Sequence, residues 1–403
     1  MQPRPLSVLY VTDTPTVSGA EHVLFSYLDR FREPEFRTHV FLRASSKRLR
    51  DALERRGVAH TTTPNFSERV VRTTLHPSDL YHFARSFLRV RRELIELVAR
   101  LQPNVLHSIS YPSALYAALA ARKTGLPHIW HEHGVKRIHA ANRPIYRFAA
   151  TSCSYVIGPS DAVTNALALA GIAPPRLRTV YNGIDLERFK ADEVGARRVR
   201  REFQLAADQP AIGLFGQLLP HKGHRTLIEA APEILRAFPS ARFFIVGALE
   251  NPPYEVELTH QIAAAGLSNV FIFTGWRSDV HDVIGAMDLS VVPTLTAEPA
   301  ALSLMETMAL GRPLVASRVG GTPEIVPDGV VGRLFAPGRS DELAGCVVDL
   351  LRNPEKARRL AAAGRLRMEE HFSEERHLEE MRHLYRRSVA RMSDAADPVT
   401  SMA

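Results

Sequence analysis

The sequence has only two cysteines, Cys153 and Cys346, which lie far apart and form no C-x-x-C pair. A disulfide framework and a cysteine-based zinc site are therefore not expected, and a reducing compartment is. No stretch approaches the roughly 18 uninterrupted apolar residues that a membrane-spanning helix needs. The amino terminus also runs into a strand-like segment without an apolar leader. We therefore expect a cytoplasmic protein that is neither secreted by a cleaved signal nor membrane-spanning.

Nucleic-acid-binding signatures are absent as well. The chain contains no basic runs interleaved with aromatic residues, no zinc fingers and no basic leucine heptads, so nucleic acid is not an expected partner. The net charge of +8 is uneven. Residues up to Val180 contain 25 Lys and Arg against 13 Asp and Glu, and the later residues contain 26 against 30. This basic half favours an anionic partner, either a phosphorylated substrate or the surface of an anionic membrane. The alternative is that the charge only improves solubility.

Short apolar runs alternate with longer amphipathic segments in both halves, which predicts two doubly wound parallel sheets of the α/β class. A turn at Tyr181-Asn182-Gly183-Ile184-Asp185 separates them. We expect a first domain of residues 1–180, a second of 181–371, and a terminal helix and tail of 372–403. The predicted strands are Val8–Thr12, His39–Leu42, Val105–Ser108, His128–His131 and Tyr155–Gly158, followed by Ala211–Phe215, Arg242–Val246, Val270–Phe273, Leu289–Val292 and Pro313–Ala316.

The segment Phe83–Leu101 is an amphipathic helix with several arginines on its polar face. Such a helix can lie on a membrane surface. A helix that covers a sheet is the favoured interpretation, because every α/β domain needs such helices.

Two loops that follow predicted strands suit a phosphate group. Gly19 precedes a helix in the first half, and exposed N–H groups at a helix start favour an anion. In the second half, Gly216 and Gly223 bound a loop that carries Lys222. The loop is not a Walker motif, which has Gly-x4-Gly-Lys-Ser/Thr. An ordinary helix start and a surface lysine are the competing interpretations.

Two carboxylates, Glu298 and Glu306, flank the start of a predicted helix from Ala301 to Leu310. Glu298 follows a predicted strand, and ligands of parallel sheets bind beyond the carboxyl ends of strands. Carboxylates there can accept hydrogen bonds from sugar hydroxyls. The spacing alone equally fits two acids that only decorate the helix.

The segment Trp130-His131-Glu132-His133-Gly134 ends another predicted strand. Alternate residues of a strand share one side, so His131 and His133 lie together. They could bind a metal, but the spacing suggests no third ligand. A histidine that faces substrate and a histidine satisfied within the core both remain open.

Taken together, these elements resemble glycosyltransferase family 4, the large retaining group with the GT-B fold, over nearly the whole chain. The matching elements are Ser18-Gly-Ala-Glu21, Glu132-His133-Gly134, Tyr181-Asn182-Gly183-Ile184-Asp185 with Phe189, Gly216-x-Leu-x-x-x-Lys222-Gly223, Phe273-x-Gly275, Asp288-Leu with Pro293, Glu298-x7-Glu306 and Gly320-Gly321-Thr-Pro-Glu324.

The resemblance implies two Rossmann-like domains facing a cleft, with the terminal helix crossing back to the first. It implies a metal-independent, retaining transfer of a sugar from a nucleoside-diphosphate sugar to a hydroxyl acceptor, in glycan, polysaccharide or glycolipid synthesis. No cofactor is expected, because the nucleotide sugar is a substrate. Glu298 would contact the donor sugar, Glu306 the ribose and Lys222 the diphosphate.

The resemblance also assigns the remaining site residues. Backbone at Gly19 and the N–H groups of Ala300, Ala301 and Leu302 would assist at the diphosphate, and the base would lie near Gly275 and Trp276. His133, rather than His131, would lie close to the reacting sugar.

One residue departs from the family pattern. Gln217 stands where the family usually has an arginine beside the diphosphate, and glutamine can donate a hydrogen bond but brings no charge. His221 or Arg225 could substitute for that cation. The loss also keeps open a degenerate GT-B protein that only binds nucleotide or a partner. A nucleotide-sugar epimerase on a similar two-domain scaffold is a second alternative.

Overall fold

Both halves of the chain form parallel sheets covered by helices, as the sequence predicts. The computed structural model describes residues 5–14, 19–66, 77–134, 138, 142–248, 251–296 and 298–396. Ser18 of the predicted first motif lies outside them. The chain divides into two units: unit 1 comprises Met1–Tyr181 and His377–Ala403, and unit 2 comprises Asn182–Arg376.

Unit 1 is built on one parallel sheet. Its described strands are β1 (Leu6–Thr12), β2 (Phe36–Arg43), β3 (His60–Thr63), β4 (Val105–Ser108), β5 (His128–His131), β6 (Cys153–Gly158) and β7 (Leu177–Thr179). They pair in the order β3-β2-β1-β4-β5-β6-β7. The helices between them are α1 (Gly19–Arg30), α2 (Lys47–Arg55), α3 (Pro77–Leu101), α4 (Tyr111–Thr124), α5 (Arg143–Ala150) and α6 (Asp161–Leu169).

Unit 2 repeats this plan with one strand fewer. Its described strands are β8 (Ala211–Phe215), β9 (Arg242–Val246), β10 (Phe271–Gly275), β11 (Leu289–Val292), β12 (Leu314–Ser317) and β13 (Arg333–Phe335). Its described helices are α7 (Glu193–Glu202), α8 (His224–Ala237), α9 (Pro252–Ala264), α10 (Val280–Ala286), α11 (Leu302–Ala309), α12 (Thr322–Ile325), α13 (Ser340–Arg352) and α14 (Pro354–His371). The described strands pair in parallel in the order β10-β9-β8-β11-β12-β13.

The central strands are buried on both faces, which explains why their sequences are continuous apolar runs. In β1, Val8, Leu9, Tyr10 and Val11 are fully buried, and every residue of β8 is buried. All ten predicted strands are present. The pattern misses β3, β7 and β13, which are sheet edges of only three or four residues.

The last helix, α15 (Glu374–Ala396), belongs to unit 1 from His377 onward. The predicted return of the terminal helix to the first domain is therefore confirmed. Its apolar side chains join the core formed by β1 and α1, and these are Leu378, Met381, Leu384 and Tyr385. In unit 2, the segment that enters the unit and the segment that leaves it are joined by hydrogen bonds. Ile184 N donates to Phe372 O, and Glu374 N donates to Ile184 O.

The strand order reverses between β1 and β4 in unit 1 and between β8 and β11 in unit 2. At such switch points the loops beyond the carboxyl ends of the strands diverge and leave a crevice for a ligand. The loops after β8 and β11 carry Lys222 and Glu298. The topology therefore places both residues at the edge of unit 2 where a ligand is expected.

Candidate functional site

Three loops converge on Glu298 at the carboxyl edge of the unit 2 sheet. The loops after β8 and β11 are joined, because Leu295 N donates a hydrogen bond of 2.8 Å to His221 O. The loop after β12 is joined as well, because Gly321 N donates to Glu298 O at 2.9 Å. Backbone hydrogen bonds therefore fix the position of Glu298 independently of its side chain.

Two glycines of the predicted motifs allow this close approach. Gly223 has φ +79°, and a Cβ atom there would lie 1.8 Å from Pro293 O. Gly320 has φ +51°, and a Cβ atom there would lie 2.0 Å from Glu298 O. L side chains rarely adopt either backbone conformation, and neither gap admits a methyl group. These motif glycines are thus required by the packing of the loops around the site.

Lys222 and Glu298 form an ion pair. Lys222 Nζ donates to Glu298 Oε2 at 2.7 Å, and the two side chains are 22% and 15% exposed. A charge-assisted bond that is this short and partly shielded from water is stronger than an ordinary surface pair. The structure therefore brings together the two residues predicted to contact the diphosphate and the donor sugar.

The start of α11 lies directly after Glu298. Ala300 and Ala301 are buried, and the N-cap residue Ala301 supplies no side-chain hydrogen bond to the first turn. Backbone N–H groups at a helix start carry partial positive charge and bind anions. Together with Leu302, this uncapped turn is suited to a phosphate group, as predicted for these three residues.

Glu306 is the fifth residue of α11, about 6 Å along the helix from its start. Its side chain is half-buried. Burial raises the pKa of Glu306 to about 7, and the nearby Arg188 guanidinium opposes this rise. An acid with this pKa is partly protonated at neutral pH, so it can both accept and donate hydrogen bonds to vicinal hydroxyls.

The predicted base-binding residues lie at the end of β10, two strands from β8. Adjacent strands are about 4.8 Å apart, so this position is about 10 Å from the end of β8. Gly275 has φ +69° and accepts a hydrogen bond from Gly247 N at 3.1 Å. Trp276 is 73% exposed, which leaves an indole face open. Gln217 is half-buried beside Gly216, in the loop after β8.

His133 lies in unit 1, just beyond β5. It is half-buried, and its ring centroid lies 4.0 Å from that of His131. Burial lowers the pKa of His133 to about 3, and His377 contributes to this lowering. The intervening Glu132 accepts a hydrogen bond from Gly134 N at 3.0 Å, which fixes the turn. His133 is therefore a neutral imidazole held at the carboxyl edge of its sheet.

Sequence reasoning missed a second polar cluster at the same edge of unit 1. Ser110 Oγ donates to Asp13 Oδ1 at 2.6 Å, and Arg43 Nε donates to Asp13 O at 3.0 Å. Burial raises the pKa of the Asp13 carboxyl, against the Ser110 hydrogen bond and Arg43. Asp13 directly follows β1, the strand whose next loop leads to Gly19 at the start of α1. The position of Asp13 after the switch-point strand was the signal that could have found it.

Some motif residues stabilise turns and strand ends and do not line the candidate site. Asp288 Oδ2 accepts from Ala211 N at 2.8 Å and from Arg200 Nη1 at 3.3 Å, at the amino end of β8. Asp185 Oδ1 accepts from the backbone N–H groups of Glu187 and Arg188. These carboxylates shape turns and strand ends, which explains their place in the pattern.

The described part of the chain has neither a cluster of metal ligands nor a membrane-spanning helix. It brings no three His, Cys, Asp or Glu side chains into an arrangement that could hold a metal ion. It also contains no helix that is both long and apolar enough to cross a bilayer.

Two family models match the chain in succession. The model described as Glycosyltransferase Family 4 matches residues 17–188, and the one described as Glycosyl transferases group 1 matches residues 196–367. The chain belongs to glycosyltransferase family 4. The first model spans most of unit 1, and the second contains Lys222, Glu298 and Glu306. The resemblance read from the motifs is confirmed.

Curated relatives of this family 4 glycosyltransferase act on different substrates. The GDP-mannose-dependent alpha-(1-6)-phosphatidylinositol monomannoside mannosyltransferase of Mycolicibacterium smegmatis is 29% identical over 269 residues, which are 63% of this chain and 68% of the relative. Alpha-maltose-1-phosphate synthase of the same organism is 25% identical over 340 residues, which are 77% of this chain and 86% of the relative.

A solved structure supports the fold. The crystal structure of Anabaena Alr3699/HepE in complex with UDP matches with a TM-score of 0.80 and 25% identity, over 94% of this chain and 99% of that chain. The structures that resemble this chain include GT-B glycosyltransferases. The predicted GT-B class is therefore confirmed, and the chain is a glycosyltransferase.

Proposed function

We propose that this enzyme transfers a sugar from a nucleoside-diphosphate sugar to a hydroxyl acceptor, with retention at the anomeric carbon. The observation that carries the proposal is the Lys222–Glu298 pair of 2.7 Å beside the uncapped start of α11. A nucleotide sugar presents a diphosphate for the cation and hydroxyl groups for the carboxylate. The pair thus supplies one group for each half of the donor.

The departure of the diphosphate builds negative charge on its leaving oxygen. Preorganised cations and N–H groups that face this charge lower the barrier. In the proposal, Lys222 and the N–H groups of Ala300 to Leu302 provide this stabilisation, so no metal or cofactor is required. Glu298 orients the sugar and is not an acid or base of the kind that glycoside hydrolases use.

Glu306 is proposed to bind the ribose hydroxyls, and Trp276 is proposed to stack on the base. Aromatic stacking on a nucleobase tolerates different bases, since each has a π face. The base itself stays open because Alr3699/HepE is described with UDP and the mycobacterial mannosyltransferase as GDP-mannose-dependent. The role of His133 at the reacting sugar stays a prediction.

The acceptor is proposed to carry phosphate, because the excess positive charge lies in the first half of the chain. In unit 1, helix α3 exposes Arg85, Arg89 and Arg92, of which Arg92 is paired with Glu96 at 2.8 Å. A lipid-linked glycan and peripheral contact with an anionic membrane both fit this charge and remain proposals.

The test is a panel of nucleotide sugars that includes UDP-glucose and GDP-mannose. Thermal shift identifies the donor, since a ligand at 100 times its Kd adds about 2.7 kcal/mol of stability. Transfer is then measured with labelled donor and a panel of phosphorylated and neutral acceptors. We expect one nucleotide sugar to raise Tm and to yield an acceptor-dependent product.

The matched control is the Lys356–Asp349 pair, which also has an N–O distance of 2.7 Å. Lys222→Ala is expected to abolish the donor-dependent shift, and Lys356→Ala is expected to preserve it. Release of free epimerised sugar would support the epimerase alternative, and binding without turnover would support the degenerate one. Either result would contradict the transferase proposal.

A further inference from the structure

A network of hydrogen bonds links four segments of unit 1 that are distant in the sequence. His377 Nδ1 lies 2.7 Å from Tyr181 O, and Tyr27 Oη lies 2.9 Å from His377 Nε2. Tyr27 Oη also lies 3.3 Å from His131 Nδ1. Tyr27, His131 and His377 are almost fully buried. The network thus connects the terminal helix α15, through α1, to the strand β5 that leads to His133.

The carbonyl of Tyr181 sets the direction of every bond in this network. A carbonyl oxygen only accepts, so the proton of His377 must be on Nδ1. His377 Nε2 is then a bare acceptor, and the Tyr27 hydroxyl must donate to it. The Tyr27 oxygen is left to accept from His131, which therefore carries its proton on Nδ1.

The neutral states on which this argument depends follow from burial. Burial lowers the pKa of His377 to about 4, against the hydrogen bond to Tyr181. Burial also lowers the pKa of His131 well below its usual range, and neighbouring histidines add to the effect. A neutral imidazole has one donor and one acceptor nitrogen, so one fixed neighbour determines its tautomer.

The fixed ring of His131 packs against the ring of His133. Their ring centroids are 4.0 Å apart, and the ring planes are inclined by 33°. Among the described residues, no hydrogen-bond partner contacts Nε2 of either ring. The orientation of His133 therefore depends on the ring packed against it, and that ring is held by Tyr27.

We propose that His377 and Tyr27 are positioning residues, which fix His131 as its Nδ1-protonated tautomer and thereby hold His133 in place. The effect on catalysis rests on the proposed function, because it assumes that His133 acts at the reacting sugar. The tautomer itself does not depend on any activity. The two claims can therefore be tested separately.

The first measurement is the ring-nitrogen NMR spectrum of the full-length protein labelled with 15N-histidine. His131→Asn and His377→Asn identify the two resonances by their disappearance. We expect both rings to be Nδ1-protonated and neutral at pH 7. An Nε2-protonated His131 or His377 in the wild-type protein would overturn the proposal without reference to any variant.

The second measurement uses Tyr27→Phe, which removes the hydroxyl and keeps the ring. The loss of one ordinary hydrogen bond is expected to shift the tautomer ratio of His131 toward Nε2–H by about fivefold. With UDP-glucose or GDP-mannose as donor, kcat is expected to fall about tenfold while KM stays within about twofold. An unchanged His131 tautomer or an unchanged kcat would contradict the proposal.

Tyr116→Phe is the matched control. Its side chain is also buried in unit 1, and its hydroxyl lies 3.2 Å from Ser86 Oγ. This variant is expected to leave the His131 tautomer and kcat unchanged, although it removes a comparable hydrogen bond. Equal losses in both variants would show that the tyrosines only stabilise the core. If wild-type enzyme turns over no nucleotide sugar of the panel, the proposed function fails, and the spectra still decide the tautomer.

Discussion

Replacing Glu298 by glutamine tests the diphosphate contact and the sugar contact of the donor separately. The variant keeps the shape of the side chain and removes its charge, so the bond that joins Lys222 to this position at 2.7 Å in the wild type is no longer ionic. A diphosphate that binds Lys222 must replace or share this bond in the wild-type enzyme. In the variant the diphosphate competes only with a neutral amide oxygen for Lys222, and the negative charge that repels the phosphates is gone. Glu298→Gln is therefore expected to bind the nucleoside diphosphate more tightly and to transfer sugar more slowly.

The size of each effect follows from the geometry. A hydrogen bond to a charged group contributes about 1.5–3 kcal/mol. Both side chains are partly exposed, at 22% and 15%, and water screening reduces the gain. We expect a net gain of about 1 kcal/mol, which makes diphosphate binding about fivefold tighter. Loss of the oriented sugar contact is expected to lower kcat about hundredfold.

Titration calorimetry with UDP and with GDP measures the first effect, and transfer assays measure the second. Asp349→Asn serves as the control, because it removes the carboxylate from the Lys356 pair of equal length. It should change neither quantity by more than about twofold. Weaker diphosphate binding in Glu298→Gln, or transfer at the wild-type rate, would refute the assigned roles.

Three further substitutions test other parts of the site. Glu306→Gln should raise the free energy of unfolding by about 1–3 kcal/mol at pH 8. The reason is that the pKa of Glu306 is about 7 in the folded protein and about 4.5 in the unfolded chain, so the wild type loses stability as pH rises between these values. Urea unfolding at pH 5 and 8 measures this, and an equal effect at both pH values would contradict it. Gly223→Ala should cost about 3 kcal/mol or more because its Cβ would overlap Pro293 O, whereas Gly266→Ala, with a similar φ and open space, should cost about 1 kcal/mol. Similar losses of Tm in both would argue against the clash. Trp276→Ala should leave Tm unchanged and weaken UDP or GDP binding about tenfold, and unchanged affinity for both nucleotides would remove Trp276 from the base site.

Short apolar runs separated by turn residues predict most strands of both sheets, because buried parallel strands have this pattern. The ten predicted strands are the interior strands and β10, whose apolar content is high. The strands β3, β7 and β13 could not be found this way. They complete sheet edges, where one strand partner and partial exposure permit sequences such as His60-Thr-Thr-Thr63.

The candidate site residues could be singled out because they occur in motifs in loops after strands, and their roles toward a donor stay predictions. What the sequence could not provide is the contact between Lys222 and Glu298, which are 76 residues apart. It likewise gave no reason for Gly320, whose backbone passes directly against Glu298. Such contacts depend on how three loops pack, and no local pattern encodes that packing.

The buried network of unit 1 was beyond sequence reasoning for a related reason. Tyr27 and His377 are separated by 350 residues, and each alone resembles an ordinary core residue. Only the return of α15 to unit 1 brings them within hydrogen-bonding distance. The choice of His133 over His131 came from a motif, whereas the packing of one ring on the other came from the structure.

The most direct test of the central claim is to measure the anomeric configuration of the transfer product by proton NMR. The donor is the nucleotide sugar that the panel selects, and the reaction is run with the wild-type enzyme and with Glu298→Gln. We predict an acceptor-linked product with the same anomeric configuration as the donor, formed about a hundredfold more slowly by the variant. A product of inverted configuration, or equal rates for the two proteins, would contradict the account.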